Sequence, residues 1–121
     1  MLTEKDYCNY ETCVALKELR FNILVDWYFN EDKIIVSPLA RCRSTSIPRI
    51  SLYEAQKWLR EVKKVIIVIV PYTYNIITET STWTYEIWLE DNLEREVHDF
   101  KTYEEALSEG VRASIKMLKE K

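Results

Sequence analysis

Lys63-Lys64-Val65-Ile66-Ile67-Val68-Ile69-Val70-Pro71-Tyr72 is the stretch whose reading decides the fold. Six consecutive β-branched aliphatics, Val65 to Val70, lie between a lysine pair and a proline. A bilayer span needs about 20 apolar residues, and this run is far shorter. It carries no helical stripe, and its β-branched density, length and flanks predict a buried strand near the centre of a sheet. Because the run does not alternate, it asks for cover on both faces.

The segment before it predicts a helix. Ser51-Leu52-Tyr53-Glu54 has the form of a capping box, in which serine and glutamate satisfy each other's end of the first turn. Leu52, Ala55, Trp58, Leu59 and Val62 follow at helical spacing, and Lys63–Lys64 complement the dipole at the C-terminus. On the other side, Pro71 ends the strand or marks a sheet edge. Tyr72–Ser81 reads as a polar, aromatic connection. Thr82–Leu89 then alternates cleanly. Trp83, Tyr85, Ile87 and Leu89 should face the core, and Thr82, Thr84, Glu86 and Trp88 the other side. Glu90–Glu96 is acidic and is expected to turn away from the sheet, with Val97–Phe100 as a short extended piece. Thr102 to Glu105 forms a second capping box. The helix it opens places Tyr103, Ala106, Leu107, Gly110, Val111, Ser114, Ile115 and Leu118 on one stripe. A glycine inside a helix costs roughly 1 kcal/mol relative to alanine, so Gly110 predicts a close approach to another backbone.

The N-terminal part reads as a helix over Tyr10–Arg20 capped by Asn9, then a hairpin of Ile23–Phe29 and Lys33–Val36 about Asn30-Glu31-Asp32. Ser37–Arg49, with two prolines and three arginines, reads as a loop. The expected fold is therefore a single α+β domain over residues 1–121 in the order α-β-β-α-β-β-α. An antiparallel sheet of about four strands would pack against three helices. A small polar cap with an aromatic-acidic pair opens each helix, which is read as shared helix-start chemistry rather than as a duplication.

Composition narrows the function. The single glycine excludes Walker-type and dinucleotide-binding loops, whose backbone must approach phosphate at several glycines. Three cysteines cannot complete an internal disulfide set, which predicts reduced thiols and a cytoplasmic setting. Met1 leads into a polar stretch, so no signal peptide is expected. Cys8 and Cys13 lack partners for a zinc site, the acidic residues lack calcium-loop spacing, and no metal or other cofactor is expected. His98 lacks a neighbouring nucleophile motif and reads as a surface histidine rather than a catalytic base, so no catalytic residue and no enzyme activity are assigned.

Two surfaces remain. If all three helices lie on one side of the sheet, Ile66, Val68, Val70 and Trp88 form an apolar face that marks a contact with a protein partner or a second copy of the chain; a helix crossing to that face, or Tyr72–Ser81 folding over it, would cover it equally well. Charge is also segregated. Residues 40–64 balance at +5 and the rest of the chain at −8. Arg41, Arg43, Arg49, Arg60 and Lys64 are candidate phosphate contacts, with Tyr72, Tyr74 or Trp83 as stacking platforms. The solvated face of an amphipathic helix explains Lys57, Arg60 and Lys64 as well, and the net charge of −3 favours that plainer account.

Tyr7-Cys8-Asn9-Tyr10-Glu11, Ala15–Leu19, Ala55–Glu61, Trp83–Ile87 and Thr102–Leu107 together resemble short uncharacterised proteins encoded by gut-bacterial genomes and their phages or prophages. Proteins of that group commonly carry glycine after the first helix, where this chain has Arg20-Phe21. The resemblance brings no activity with it. It implies a mobile-element accessory role inside a bacterial cell.

Overall fold

The computed structural model describes residues 2–37, 46–75 and 80–120, with backbone alone at 72–75 and 80–81. The chain is α+β. Its described residues form three α-helices and two three-stranded antiparallel sheets. They divide into two compact units, residues 1–51 and 52–121.

In the first unit a 3-10 turn, Glu4–Asp6, precedes α1 (Tyr10–Glu18). Asn9 caps α1 as expected, its side chain accepting from the Thr12 N–H at 2.8 Å. The helix ends at Glu18 because Arg20 takes a left-handed φ of 73°. That lets the Phe21 N–H reach back to the Leu16 carbonyl at 3.0 Å. The conformation is the one glycine favours, and here an arginine adopts it. Three two-residue strands follow: β1 (Tyr28–Phe29), β2 (Ile35–Val36) and β3 (Ile47–Pro48), in the order β2-β1-β3. The expected hairpin arms are therefore far shorter than their apolar runs. Ile47–Pro48, read as loop, pairs with β1. Cys8 and Cys13 are buried thiols, and Cys13 Sγ accepts from the Ile50 N–H at 3.5 Å. The Cys8 N–H donates to the Ile50 carbonyl at 2.9 Å, which ties the start of the unit to its end.

The second unit holds the fold-deciding stretch. α2 (Leu52–Val62) leads through Lys63 and a left-handed Lys64 (φ 60°) into β4 (Val65–Asn75). β5 (Thr80–Leu89) and β6 (Asn92–Phe100) complete a meander in the order β4-β5-β6. α3 (Tyr103–Lys119) closes the unit, its cap Thr102 accepting from the Glu105 N–H at 3.1 Å. Glu105 itself reaches the Lys101 N–H, one residue beyond the expected box partner.

Several expectations need correction, among them Tyr72–Ser81, read as a connection, whose ends Tyr72–Asn75 and Thr80–Ser81 belong to β4 and β5. β4 is an outer strand of its sheet, not a central one, and Pro71 sits within it at a register shift rather than ending it. Pro71 lacks an N–H to give, which an outer strand tolerates. Glu90–Glu96 does not leave the sheet. Glu90 and Asp91 form a two-residue turn with φ of 50° and 67°, and Asn92–Phe100 pairs along β5. Turns with both central residues left-handed match the twist of a hairpin, and they usually recruit asparagine or glycine. With β3 and β6 added, the order is α-β-β-β-α-β-β-β-α, and one sheet of about four strands becomes two sheets of three.

The core of the second unit lies between α3 and the odd-numbered residues of β4 and β5. Val65, Ile67, Tyr85 and Ile87 are buried there with Ala106, Leu107, Val111 and Ile115. Gly110 explains itself. A Cβ at this position would stand 2.9 Å from Ile67 Cγ2 and 3.4 Å from Tyr85 Cβ. The close approach is real, but it is to side chains of the sheet, not to a backbone. α2 packs on β4 and α3, and its Gln56 Nε2 donates to the Ile67 carbonyl at 2.9 Å.

Candidate interaction surface

The register of the meander places the four predicted surface residues together. Ile66 stands opposite Trp88, Val68 opposite Glu86, and Val70 opposite Thr84. All are on the side of the sheet away from Gly110, because side chains alternate and the odd-numbered residues face α3. Ile66 is 44 % exposed, while Val68, Val70 and Trp88 are half-buried. On β6 a register shift before Trp88 brings Leu93 opposite it, also 44 % exposed. One end of this face is thus an apolar cluster of Ile66, Trp88 and Leu93. Aromatic–β-branched cross-strand pairs of this kind contribute up to about 1 kcal/mol each.

The other end is polar. Glu86 and Glu96 lie directly opposite, a like-charge pairing that destabilises unless each carboxylate is engaged. Trp88 Nε1 donates to Glu86 Oε1 at 3.1 Å, and His98 Nε2 stands 3.4 Å from Glu96 Oε1. His98 Nδ1 is 2.8 Å from Thr84 Oγ1. A second register shift, with Asp99 at φ 74°, aims His98 at Thr84. Hydroxyl, imidazole and carboxylate in series have the outline of a nucleophile with its base. Thr84 is 0 % exposed, however, so its oxygen is closed to solvent in this arrangement. The cluster is a cross-strand tie. His98, read as a plain surface residue, is half-buried and bonded within the sheet.

Of the candidate phosphate contacts, Arg49, Arg60 and Lys64 are among the described residues. Arg41 and Arg43 lie outside the described residues, as does Cys42. Arg49 belongs to the first unit and is internally engaged. Its Nη2 meets Glu4 Oε2 at 2.6 Å, and its guanidinium lies 3.8 Å over the Tyr7 ring. Arg60 is exposed on α2, and Lys64 Nζ donates to the Glu61 carbonyl at 2.9 Å. Of the proposed stacking platforms, Trp83 packs edge-on against Tyr103. The side chains of Tyr72 and Tyr74 are not among those described.

Sequence reasoning missed an apolar surface in the first unit. Leu2, Trp27 and Ile35 are exposed and line one cavity of about 660 Å³ together with Tyr7 and Arg49. The signal was available in the apolar runs flanking Asn30–Asp32, which are too long for the two-residue strands they feed. Among the described residues no cluster of three histidine, cysteine or carboxylate side chains is placed to hold a metal ion. No helix among them is long and apolar enough to cross a membrane. Comparison with protein-family models, with curated proteins and with solved structures finds no match.

Proposed function

We propose that this protein is a non-enzymatic accessory protein of phage or prophage type, which works in the bacterial cytoplasm by contact with a second copy of itself or with a host protein. One observation carries the reading. Ile66, Val68, Val70 and Trp88 share a sheet face turned away from α3, with Ile66 and the neighbouring Leu93 substantially exposed. Exposed apolar clusters on a folded domain mark contact surfaces. The exposed Leu2, Trp27 and Ile35 of the first unit add a second such surface. The mobile-element setting rests on the resemblance of the helix-start and core stretches given above. Sedimentation velocity over a range of concentrations, paired with capture from a bacterial lysate, tests the reading. The native chain should associate or retain a protein, and Ile66→Glu with Trp88→Glu should abolish both. A chain that stays monomeric and retains nothing rejects it.

A second reading, nucleic-acid binding through residues 41–64, draws on the exposure of Lys57 and Arg60 on α2 and of Lys64 just beyond it. It predicts salt-sensitive retardation of nucleic acid that falls when Arg60 and Lys64 are neutralised. No retardation at low salt removes it.

A further inference from the structure

We propose that a trough between α3 and β6 in the second unit binds a small molecule carrying an oxyanion on an apolar body. The trough has a volume of about 450 Å³, within the usual range of small-ligand sites. Its helical wall is a stripe of α3 beside the buried one, running from Glu109 through Arg112, Ala113 and Lys116 to Met117. This stripe reaches past the core contacts of Gly110, Ser114 and Ile115, so the sheet leaves it partly uncovered. The opposing wall is Arg95, which pairs with Ile87 and therefore projects to the α3 side of β6.

Three cations thus converge on one cavity, and their states differ. Arg112 Nη1 is bound to Glu109 Oε1 at 3.0 Å. Arg95 is held by its Nε, which donates to the hydroxyl of the buried Tyr85 at 3.0 Å. That anchor orients the guanidinium while leaving both terminal nitrogens for a ligand. Among the described residues no carboxylate pairs with Arg95 or Lys116. A fixed guanidinium with two terminal N–H groups suits a carboxylate or a phosphate, and less side-chain freedom is lost when it binds. Ala113 and Met117 supply an apolar floor for the rest of the molecule. Glu109 and Glu120 also line the trough. Their charge disfavours an extended polyanion and fits a ligand with one anionic group.

Titration of the whole protein with phenyl phosphate, benzoate and inorganic phosphate, followed by amide NMR shifts, tests the assignment. Phenyl phosphate or benzoate should move the resonances of residues 113–117 and of Arg95 at millimolar concentration or below. Inorganic phosphate, lacking the apolar body, should bind more weakly. The tighter of the two aromatic anions identifies the oxyanion as phosphate or carboxylate. Lys116→Gln is an exposed helical change that leaves folding intact, and it should weaken binding several-fold. Arg95→Gln, checked by its thermal melt, should weaken it at least tenfold. Absence of shifts with all three anions overturns the proposal. So do shifts that persist unchanged in Lys116→Gln and Arg95→Gln, or that spread evenly over surface lysines.

Discussion

The two sides of the β4–β5–β6 sheet are made from alternate residues of the same strands, yet they are held by different forces. On the α3 side, Ile67, Tyr85 and Ile87 meet a helix close enough that Gly110 has no room for a Cβ. On the other side, Ile66, Trp88 and Leu93 form an apolar cluster beside a polar tie of Glu86, Glu96, His98 and Thr84. The first side is tight packing, in which a methylene is felt. The second combines exposed apolar area at Ile66 and Leu93 with a cross-strand tie at the buried Thr84, so its exposed residues are freer to change without loss of the fold. A sheet built this way keeps its tight packing on one side and its exposed apolar area on the other.

The contrast can be broken most severely at Gly110. Gly110→Leu should cost about 3 kcal/mol or prevent folding, because overpacking against Ile67 and Tyr85 cannot be relieved without moving the helix. Urea denaturation reads the loss, and a variant as stable as the native chain would disprove the close packing. Ile87→Ala should cost about 3 kcal/mol by opening a cavity in the same layer. A loss under about 1 kcal/mol would mean that this side is no better packed than the other.

The turn that sets the register sharpens the comparison, since a one-residue slip would exchange the faces. Replacing Glu90-Asp91 by Asn-Gly should stabilise the protein by about 1 kcal/mol, because left-handed φ is easier for those residues. An unchanged or lower melting temperature would argue that the turn is not strained. The smallest effect on stability belongs to the exposed side. Ile66→Lys should change unfolding free energy by less than about 1 kcal/mol, while lowering any self-association seen by sedimentation. A large loss of stability there would show that the residue is core.

The parts of the fold legible in the sequence were those with strong periodicity or crowding. The stripe through Gly110 and the start of α2 emerge as read; of the inward set of Thr82–Leu89, Tyr85 and Ile87 are buried, while Trp83 and Leu89 are half-buried and the outward Thr84 is fully buried. β6 was hidden because most of it is exposed, so its sequence Asn92-Leu93-Glu94-Arg95-Glu96 is nearly all polar, and because its turn has no glycine. β3 was hidden by Pro48, which an outer strand accommodates. The grouping of Ile66, Val68, Val70 and Trp88 was legible because it needs only alternation and register. The Arg95–Lys116 trough was not, since it joins a strand and a helix that no local pattern connects.

The Gln56 amide on the Ile67 carbonyl has a consequence for the making of the protein. Val65–Val70 is a six-residue segment of high β-propensity without charge, the kind that stacks into fibrils when its edge is bare. β4 has β5 on one side and no strand on the other among the described residues. In the finished molecule α2 lies against β4 and Gln56 occupies one of its backbone acceptors. Lys63 and Lys64 guard the entrance, and Pro71 withholds an N–H farther along. The hazard therefore belongs to the interval before α2 docks. During synthesis α2 emerges immediately ahead of the strand it covers, so its docking on β4 waits for no segment far along the chain.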